Sequence, residues 1–403
     1  MESLALEPFW SDFVDRLWSQ RPGVMRTPLT RPMLTAKEAF DALVQGAKRP
    51  DQFRARFYVD DRQLESGKEL GLFMPRASDR SLAGYARRLD RLSEGRPHGV
   101  IFNDLTRHHV GAWRRVRTFL RGFYGRVGLP VCTTDTALFL GNYGATPGGI
   151  HRDFTDTMAF AVKGHKQMLV WDDDYFPRPG VPTLRTRAAA EATEYQHDAE
   201  TLTLGTRDLA YWPRNAWHVA TADGGLGASF SIGIMHRTLA THLERTVSGM
   251  GVPPTMALPA DADGQQAPPE LTAPLDRLAE VLASGALHRD QLHHWLRVRT
   301  AGGVLPAPWA FRKLAAADVI APQPDLWLER AEAGDALIVA ANGYSFELPD
   351  TRGARWLLRW LQRREPRSVQ EVLRKAARVS ERGHFNQFLH VLGGASAIAV
   401  QKQ

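Results

Sequence analysis

Apolar positions in the first third of the chain recur at helical spacing. Phe9, Phe13, Leu17 and Trp18 share one face, and Trp113, Val116, Phe119, Leu120 and Phe123 share another, the three-to-four-residue recurrence of half-buried helices. This spacing predicts a mostly helical segment from Glu7 to about Gly128. From about Leu129 to His236 the period changes. Short β-like runs, Thr136–Leu140, Thr157–Val162, Lys166–Trp171, Glu200–Leu204 and Ala228–Ile234, are separated by Gly, Pro or Asp clusters. Short strands so spaced predict a small antiparallel barrel or jelly roll. Tyr211–Val219 is a further strand-like stretch.

The pattern then breaks. Between Gly249 and Pro269 stand Gly251, Pro253, Pro254, Pro259, Gly264 and Pro268, a composition that marks a flexible boundary. Beyond it Leu271–Leu282, Arg289–Val298 and Pro308–Ala315 read as helices. Ala336–Phe346 reads as strands around the Asn342-Gly343 turn, and Ala354–Arg364 and Val369–Arg378 as helices. Helices with a small hairpin predict a winged-helix-like unit, either a DNA binder or a dimerisation or substrate-docking domain. The expected plan is α+β: an N-terminal helical region over 1–128, a barrel core over 129–240, a linker and helical region over 241–300, and a winged-helix-like domain over 301–403.

Composition narrows the class. At 403 residues and 43% hydrophobic, the chain is long enough for two or three domains. No apolar run approaches the about 18 residues that a membrane span needs, so no membrane partner is expected. Met1-Glu-Ser-Leu-Ala lacks a basic region followed by an apolar one, so no signal peptide is expected and the cytoplasm is the expected compartment. The single cysteine, Cys132, excludes an internal disulfide framework and a thiolate zinc cluster. Fifty-one basic against 44 acidic residues give a net +7, spread unevenly. Twelve arginines lie between Arg76 and Arg126 against Asp79, Asp90, Glu94 and Asp104, and a second basic cluster runs from Arg352 to Arg382. Such patches attract phosphates or an acidic partner. The helical spacing of Arg87, Arg88 and Arg91, and of Arg114, Arg115, Arg117 and Arg121, equally fits solvated helix faces.

Candidate chemistry gathers in the barrel segment. His151 and Asp153 stand two apart after the loop Asn142–Gly149, and on a strand their side chains share one face while Arg152 faces away. His218 is expected from the opposite wall. Two imidazoles and one carboxylate suit one face of a non-haem Fe(II), leaving positions for a co-substrate and O₂. If the chain turns back at Lys163-Gly164-His165, Lys166 is carried inward, where its ammonium would pair with the distal carboxylate of a bound 2-oxo acid; that points to 2-oxoglutarate. Ser231 would add a hydroxyl hydrogen bond. Asn142 and Tyr143 would contact substrate, with the small residues of their loop letting a substrate backbone approach the metal.

Competing motifs fail on context. His288-Arg-Asp290 repeats the tripeptide within a helical-looking segment, where side chains two apart diverge. A kinase loop would need Asn where Met158 stands, and neither a Gly-rich loop nor Asp-Phe-Gly accompanies it. A Ser-His-Asp hydrolase lacks Gly-x-Ser-x-Gly. His108, His109, His165, His197 and His236 have no carboxylate at strand spacing, and Asp172–Asp174 read as a turn.

With these residues in place, the chain resembles the JmjC-type cupin oxygenases, and within them the ribosomal-protein hydroxylase group of bacteria and animals. The resemblance rests on Gly148-Gly149-Ile150-His151-Arg152-Asp153, then Lys163-Gly164-His165-Lys166 ahead of Trp171, then Trp212-Pro213 and His218. The opening Phe9–Pro22 also looks like the helix and basic-Pro step that start those proteins. The resemblance implies a double-stranded β-helix (cupin) core, with His151, Asp153 and His218 as Fe(II) ligands and Lys166 holding 2-oxoglutarate. It also implies a helical dimerisation region, hence a homodimer, and a C-terminal winged-helix-like domain. The activity implied is hydroxylation of a side chain in a protein or peptide. Tyr143–Ile150 and Pro177–Gln196 depart from the ribosomal-protein enzymes, so a ribosomal protein and a biosynthetic peptide both stay open as substrate. The alternatives are a cupin metalloenzyme that does not use 2-oxoglutarate, and a non-catalytic nucleic-acid- or protein-binding module. A nucleic-acid partner is allowed but not required.

Overall fold

Two units make up the chain. The first comprises residues 1–129, 133–235 and 303–308, and the second comprises 130–132, 236–302 and 309–403. The computed structural model describes residues 7–26, 29–49, 51–60, 62–164, 166–176, 185–187, 192–221, 225–250, 269–310 and 313–401.

In the first unit the helices are α1 (Glu7–Arg16), α2 (Ala36–Ala47), α3 (Gly67–Phe73), α4 (Leu82–Leu92) and α5 (Val110–Val127). Thr35 and Glu38 form a capping box that starts α2, each side chain accepting from the other's backbone N–H. His109 Nδ1 accepts from the Ala112 N–H at the start of α5. The apolar faces expected in the sequence meet each other, since Trp10 of α1 packs on Phe119 and Phe123 of α5 at ring-centroid distances of 4.7 and 5.2 Å.

The strands of this unit are β1 (Gly23–Met25), β2 (Ala55–Val59), β3 (Arg62–Gln63), β4 (His98–Asn103), β5 (Asp135–Gly141), β6 (Ile150–His151), β7 (Thr155–Lys163), β8 (Lys166–Trp171), β9 (Arg185–Arg187), β10 (Glu200–Leu204), β11 (Leu209–Trp212), β12 (Trp217–Thr221) and β13 (Gly227–Met235). They form an eight-stranded sheet, β1-β11-β7-β13-β5-β4-β2-β3, and a five-stranded sheet, β10-β8-β12-β6-β9. Their pairings are antiparallel. From β5 to β8 successive strands alternate between the sheets, and β11, β12 and β13 alternate again, which is the winding of a double-stranded β-helix. Ala159 and Ala161 of β7 pack with Met168, Val170, Leu202 and Leu204 of the other sheet. Phe160, on the opposite face of β7, stacks edge-on against Phe119.

The N-terminal segment is less helical than its spacing predicts. β2 and β4 continue the large sheet outward from β5. Arg56 and Gly99 interrupt their short apolar runs, so pairing within the sheet, β4 on β5 and β2 on β4, makes them strands.

The second unit holds α6 (Leu239–Gly249), α7 (Pro269–Ala283), α8 (Ala286–Ala301), β14 (Val319–Pro322), β15 (Leu328–Ala333), β16 (Ala336–Ala341), β17 (Tyr344–Pro349), α9 (Arg352–Arg363), β18 (Arg367–Ser368), α10 (Val369–Ala376), α11 (Arg382–Gly394) and β19 (Ile398–Val400). Its sheets are β18-β14-β19 and β15-β16-β17. Asn342 (φ 50°) and Gly343 (φ 91°) turn β16 into β17, the two positive φ values of a tight hairpin. His288-Arg-Asp290 lies on α8. The helix expected over Pro308–Ala315 does not form in its described residues. The Ala310 N–H donates to the Gly394 carbonyl at 2.9 Å instead of to a helical turn. Most of the predicted linker, residues 251–268, lies outside the described residues, as does His165.

Candidate metal centre

β6 and β12 pair at one register position, His151 opposite His218. Directly paired residues of an antiparallel ladder project to the same face with Cβ atoms about 5 Å apart. His218 therefore stands on the neighbouring strand, not on the opposite wall as expected, and adjacency alone brings the imidazoles together, with ring centroids 4.4 Å apart. Asp153 lies just past the end of β6. Its Oδ2 is 3.5 Å from His218 Nε2 and 3.9 Å from His151 Nε2, and one ligand atom from each of the three lies within 4.8 Å of the others.

Backbone carbonyls set both tautomers. His151 Nδ1 is 2.8 Å from the Gly149 carbonyl, and His218 Nδ1 is 3.0 Å from the Ala216 carbonyl. A carbonyl only accepts, so each Nδ1 carries the proton and each Nε2 lone pair faces Asp153. That is the outer-sphere arrangement that orients metal-ligating histidines. Gly149 has φ 67°, so it presents its carbonyl from a left-handed conformation that other residues reach at a cost. The loop before it is pinned by Thr146, whose N–H donates to the Ala220 carbonyl at 2.8 Å. Gly149 thus serves the orientation of His151 itself. Arg152 turns away onto the Trp217 ring, 4.6 Å from its centroid.

Electrostatics prepare the three groups for a cation. Burial, helped by the neighbouring His218, lowers the His151 pKa to about 4, so the ring is neutral at physiological pH. Burial would raise the Asp153 pKa, but the adjacent His218, with His151 behind it, holds it at about 2. Two imidazole nitrogens and one anionic oxygen form the donor set of a facial two-histidine, one-carboxylate iron site.

Lys166 completes the cavity. His218 pairs with Val170 of β8, and Val170, Met168 and Lys166 alternate onto one strand face. Lys166 is 1% exposed. Its Nζ donates to the Tyr143 hydroxyl at 2.9 Å and lies 5.2 Å from the Phe139 ring centroid. No carboxylate among the described residues pairs with it. Burial drives its pKa down to about 7. An ammonium this deep without a counter-charge is costly, and a ligand's carboxylate would remove that cost.

The remaining expected residues divide. Ser231 pairs with Ala137 and Ala159, which places it on the sheet face that carries Phe139, the ring beside Lys166. Tyr143 is buried at 4% exposure and meets Lys166, not a substrate-sized opening. Asn142 is taken up elsewhere, its Oδ1 accepting from His98 N–H at 2.8 Å and its Nδ2 donating to Asp90 at 3.2 Å. Sequence reasoning passed over Gly141 and gave Trp212, a residue of the matching motif, no role in the site. A Cβ on Gly141 would sit 2.4 Å from the Tyr143 ring, so only glycine lets that ring lie over the strand. The Trp212 ring packs 5.3 Å from His218, and its indole N–H is buried without a partner.

The JmjC domain family model matches residues 128–242. No curated protein matches the chain. A crystal structure of Escherichia coli YcfD aligns over 97% of this chain and 98% of that one, at 15% identity and a TM-score of 0.50. A second YcfD structure, of what is described there as a ribosomal oxygenase, aligns over 98% of each chain at 14% identity and 0.50. At such identity the likeness is one of fold. Residues 128–242, which hold the paired histidines, Asp153 and Lys166, match the JmjC domain model, and the chain is similar in fold, over nearly its whole length, to a ribosomal oxygenase.

Proposed function

We propose that the chain is an Fe(II)- and 2-oxoglutarate-dependent oxygenase that hydroxylates an amino-acid side chain of a protein or peptide, a ribosomal protein or a biosynthetic peptide. The observation that carries this reading is the buried Lys166 ammonium, with no carboxylate partner among the described residues, on the same sheet face as the imidazole of His218. A metal site alone needs no such cation, whereas a dicarboxylate that chelates the metal through its 2-oxo acid end needs one at its far end.

His151, Asp153 and His218 would hold Fe(II), and Lys166 with Tyr143 would receive the distal carboxylate. Ser231 would add a hydroxyl from the neighbouring face. Bound iron, 2-oxoglutarate and O₂ together supply the oxidising equivalent for C–H hydroxylation, with succinate and carbon dioxide as the other products. The chain's own part is positional. The Gly149 and Ala216 carbonyls fix the imidazole orientations, and the anionic Asp153 supplies the charge that retains a divalent ion. Met168, Val170, Ala159 and Trp212 are apolar neighbours that exclude water around these groups.

Two features outside the core support the finer layout. Leu239, Leu275, Leu282 and Trp295, on α6 to α8, are exposed, in keeping with a dimerisation region and a homodimer. The order α9, β18, α10, α11, β19 is in keeping with a winged-helix-like domain. No helix among the described residues is long and apolar enough to cross a membrane, and a cytoplasmic location is part of the proposal.

The test is an anaerobic titration with Fe(II) and 2-oxoglutarate, monitoring the visible charge-transfer band of a chelated 2-oxo acid. The band should appear in the wild type, vanish in His151→Ala and weaken in Lys166→Ala. Iron binding without a band in folded wild-type protein would overturn the 2-oxoglutarate assignment. With the band in hand, candidate peptides are screened for a mass gain of one oxygen atom.

A further inference from the structure

α9 has the sequence Arg-Gly-Ala-Arg-Trp-Leu-Leu-Arg-Trp-Leu-Gln-Arg, with no acidic residue. Ala354, Leu357, Leu358, Trp360 and Leu361 bury its inner side. Arg352, Arg355, Arg359 and Arg363 recur at three- and four-residue steps, so they form a row along its other side. Arg352, Arg359, Arg363 and the following Arg364 are exposed, and none has a hydrogen-bond or carboxylate partner among the described residues. The carboxylates nearby are engaged. Asp350 and Glu332 pair with Arg355, Glu365 and Glu371 with Arg367, and Glu329 with Arg299. Arg352, Arg359, Arg363 and Arg364 therefore keep their positive charge, while that of Arg355 is met by Asp350 and Glu332.

Two surface pockets meet at Arg359. One, of about 330 Å³, is lined by Arg330, Arg355, Leu358, Arg359 and Gln362, together with Glu329. The other is lined by Trp356, Arg359, Trp360, Arg363 and Arg367, together with Glu365. Trp356 is half-buried, with the Lys375 ammonium 5.7 Å from its ring centroid. An indole ring with a cation over one face, beside an arginine row, pairs the aromatic and phosphate-binding elements found in proteins that hold single strands.

We propose that this face of α9 binds single-stranded nucleic acid through its phosphodiester backbone. The four-residue steps of the row rise about 6 Å each, which allows successive arginines to meet successive phosphates, and the guanidinium fork matches phosphate oxygens. A lipid surface fits less well, because none of the exposed large hydrophobic side chains of the described residues lies on α9. An acidic peptide would leave the Trp356 pocket without a use. The site is independent of the metal centre, and neither proposal fails with the other.

The test uses the full-length protein and fluorescence anisotropy with a fluorescein-labelled single-stranded oligonucleotide of mixed sequence, made as RNA and as DNA, over a salt series. The variants are R359E/R363E, the milder R359A/R363A, and the control R87E/R91E on exposed positions of α4, each checked by thermal melting. Binding of either strand by the wild type should weaken at least about tenfold in R359E/R363E, with the salt slope shallower by about 1.4 for two lost phosphate contacts. R359A/R363A should follow in the same direction, and R87E/R91E should bind as the wild type does. The ratio of RNA to DNA affinity names the natural source. No binding by the wild type, unchanged binding in both α9 variants, an equal loss in R87E/R91E, or equal competition by polyglutamate would overturn the proposal.

Discussion

The Lys166 ammonium donates a 2.9 Å hydrogen bond to the Tyr143 hydroxyl in a place where neither side chain meets a carboxylate. A hydroxyl cannot balance a buried charge, so the pair is a half-finished ion site. Replacing the charge while keeping the volume separates its two effects. Lys166→Met should leave the melting temperature of the empty protein unchanged or higher, because the uncompensated charge is gone. It should weaken 2-oxoglutarate binding by roughly 3 kcal/mol or more, over a hundredfold, because the ligand's carboxylate is then buried unpaired. Melting curves and calorimetry with Mn(II) as a redox-silent metal check both; a loss of stability without loss of affinity would contradict the assignment.

The same residue sets a pH dependence. Burial lowers the Lys166 pKa to about 7, while the unfolded chain keeps that proton to about pH 10.4. Between these values the unfolded state binds more protons, so this group makes the empty protein more stable as pH rises from 7 towards 10. A bound carboxylate acts oppositely by favouring the ammonium. At pH 8, 2-oxoglutarate binding should take up a proton, and affinity should decline as pH rises above 7. Calorimetry at pH 8 in two buffers of different ionisation enthalpy reads the proton directly, and identical heats would exclude Lys166 as the anchor.

Tyr143→Phe keeps the ring that Gly141 accommodates and removes only the oxygen. Loss of one hydrogen bond of about 1 kcal/mol should raise the KM for 2-oxoglutarate about fivefold while kcat for the hydroxylated peptide stays near wild type. A fall in kcat at saturating 2-oxoglutarate would instead give the hydroxyl a role beyond holding Lys166.

Gly149→Ala tests the orientation of His151. With φ at 67°, alanine should cost about 1 kcal/mol in stability and displace the carbonyl that holds Nδ1. Disturbing an outer-sphere partner of this kind should lower metal affinity 10- to 100-fold. Competition with a coloured chelator measures it, and an unchanged affinity would mean that the Nδ1 contact does not orient the ring.

The three residues of the candidate metal centre were legible in the sequence because an i, i+2 pair after a glycine loop and a histidine in an apolar strand are local patterns. The direction of Lys166 was legible too, since alternation on β8 settles it. Which strands pair was not. No residue near His218 says that it lies beside His151, because pairing follows from the winding of the whole β-helix. β2 and β4 were missed for the same reason, β4 gaining strand character from β5 and β2 from β4. Asn142 and Tyr143 are chain neighbours with opposite fates. One is spent on the backbone of His98 and the other turned inward across Gly141, and only the packed sheet decides between them.

The single register pair that unites His151 with His218 has a consequence for assembly. Strand side chains alternate, so a slip of one residue between β6 and β12 would turn one imidazole out of the cavity. Nor can the two rings meet before the distant segments that carry them have found each other. A tightly coordinated ion is therefore evidence that the barrel has closed in the correct alignment, and a misthreaded chain would remain metal-free and redox-silent.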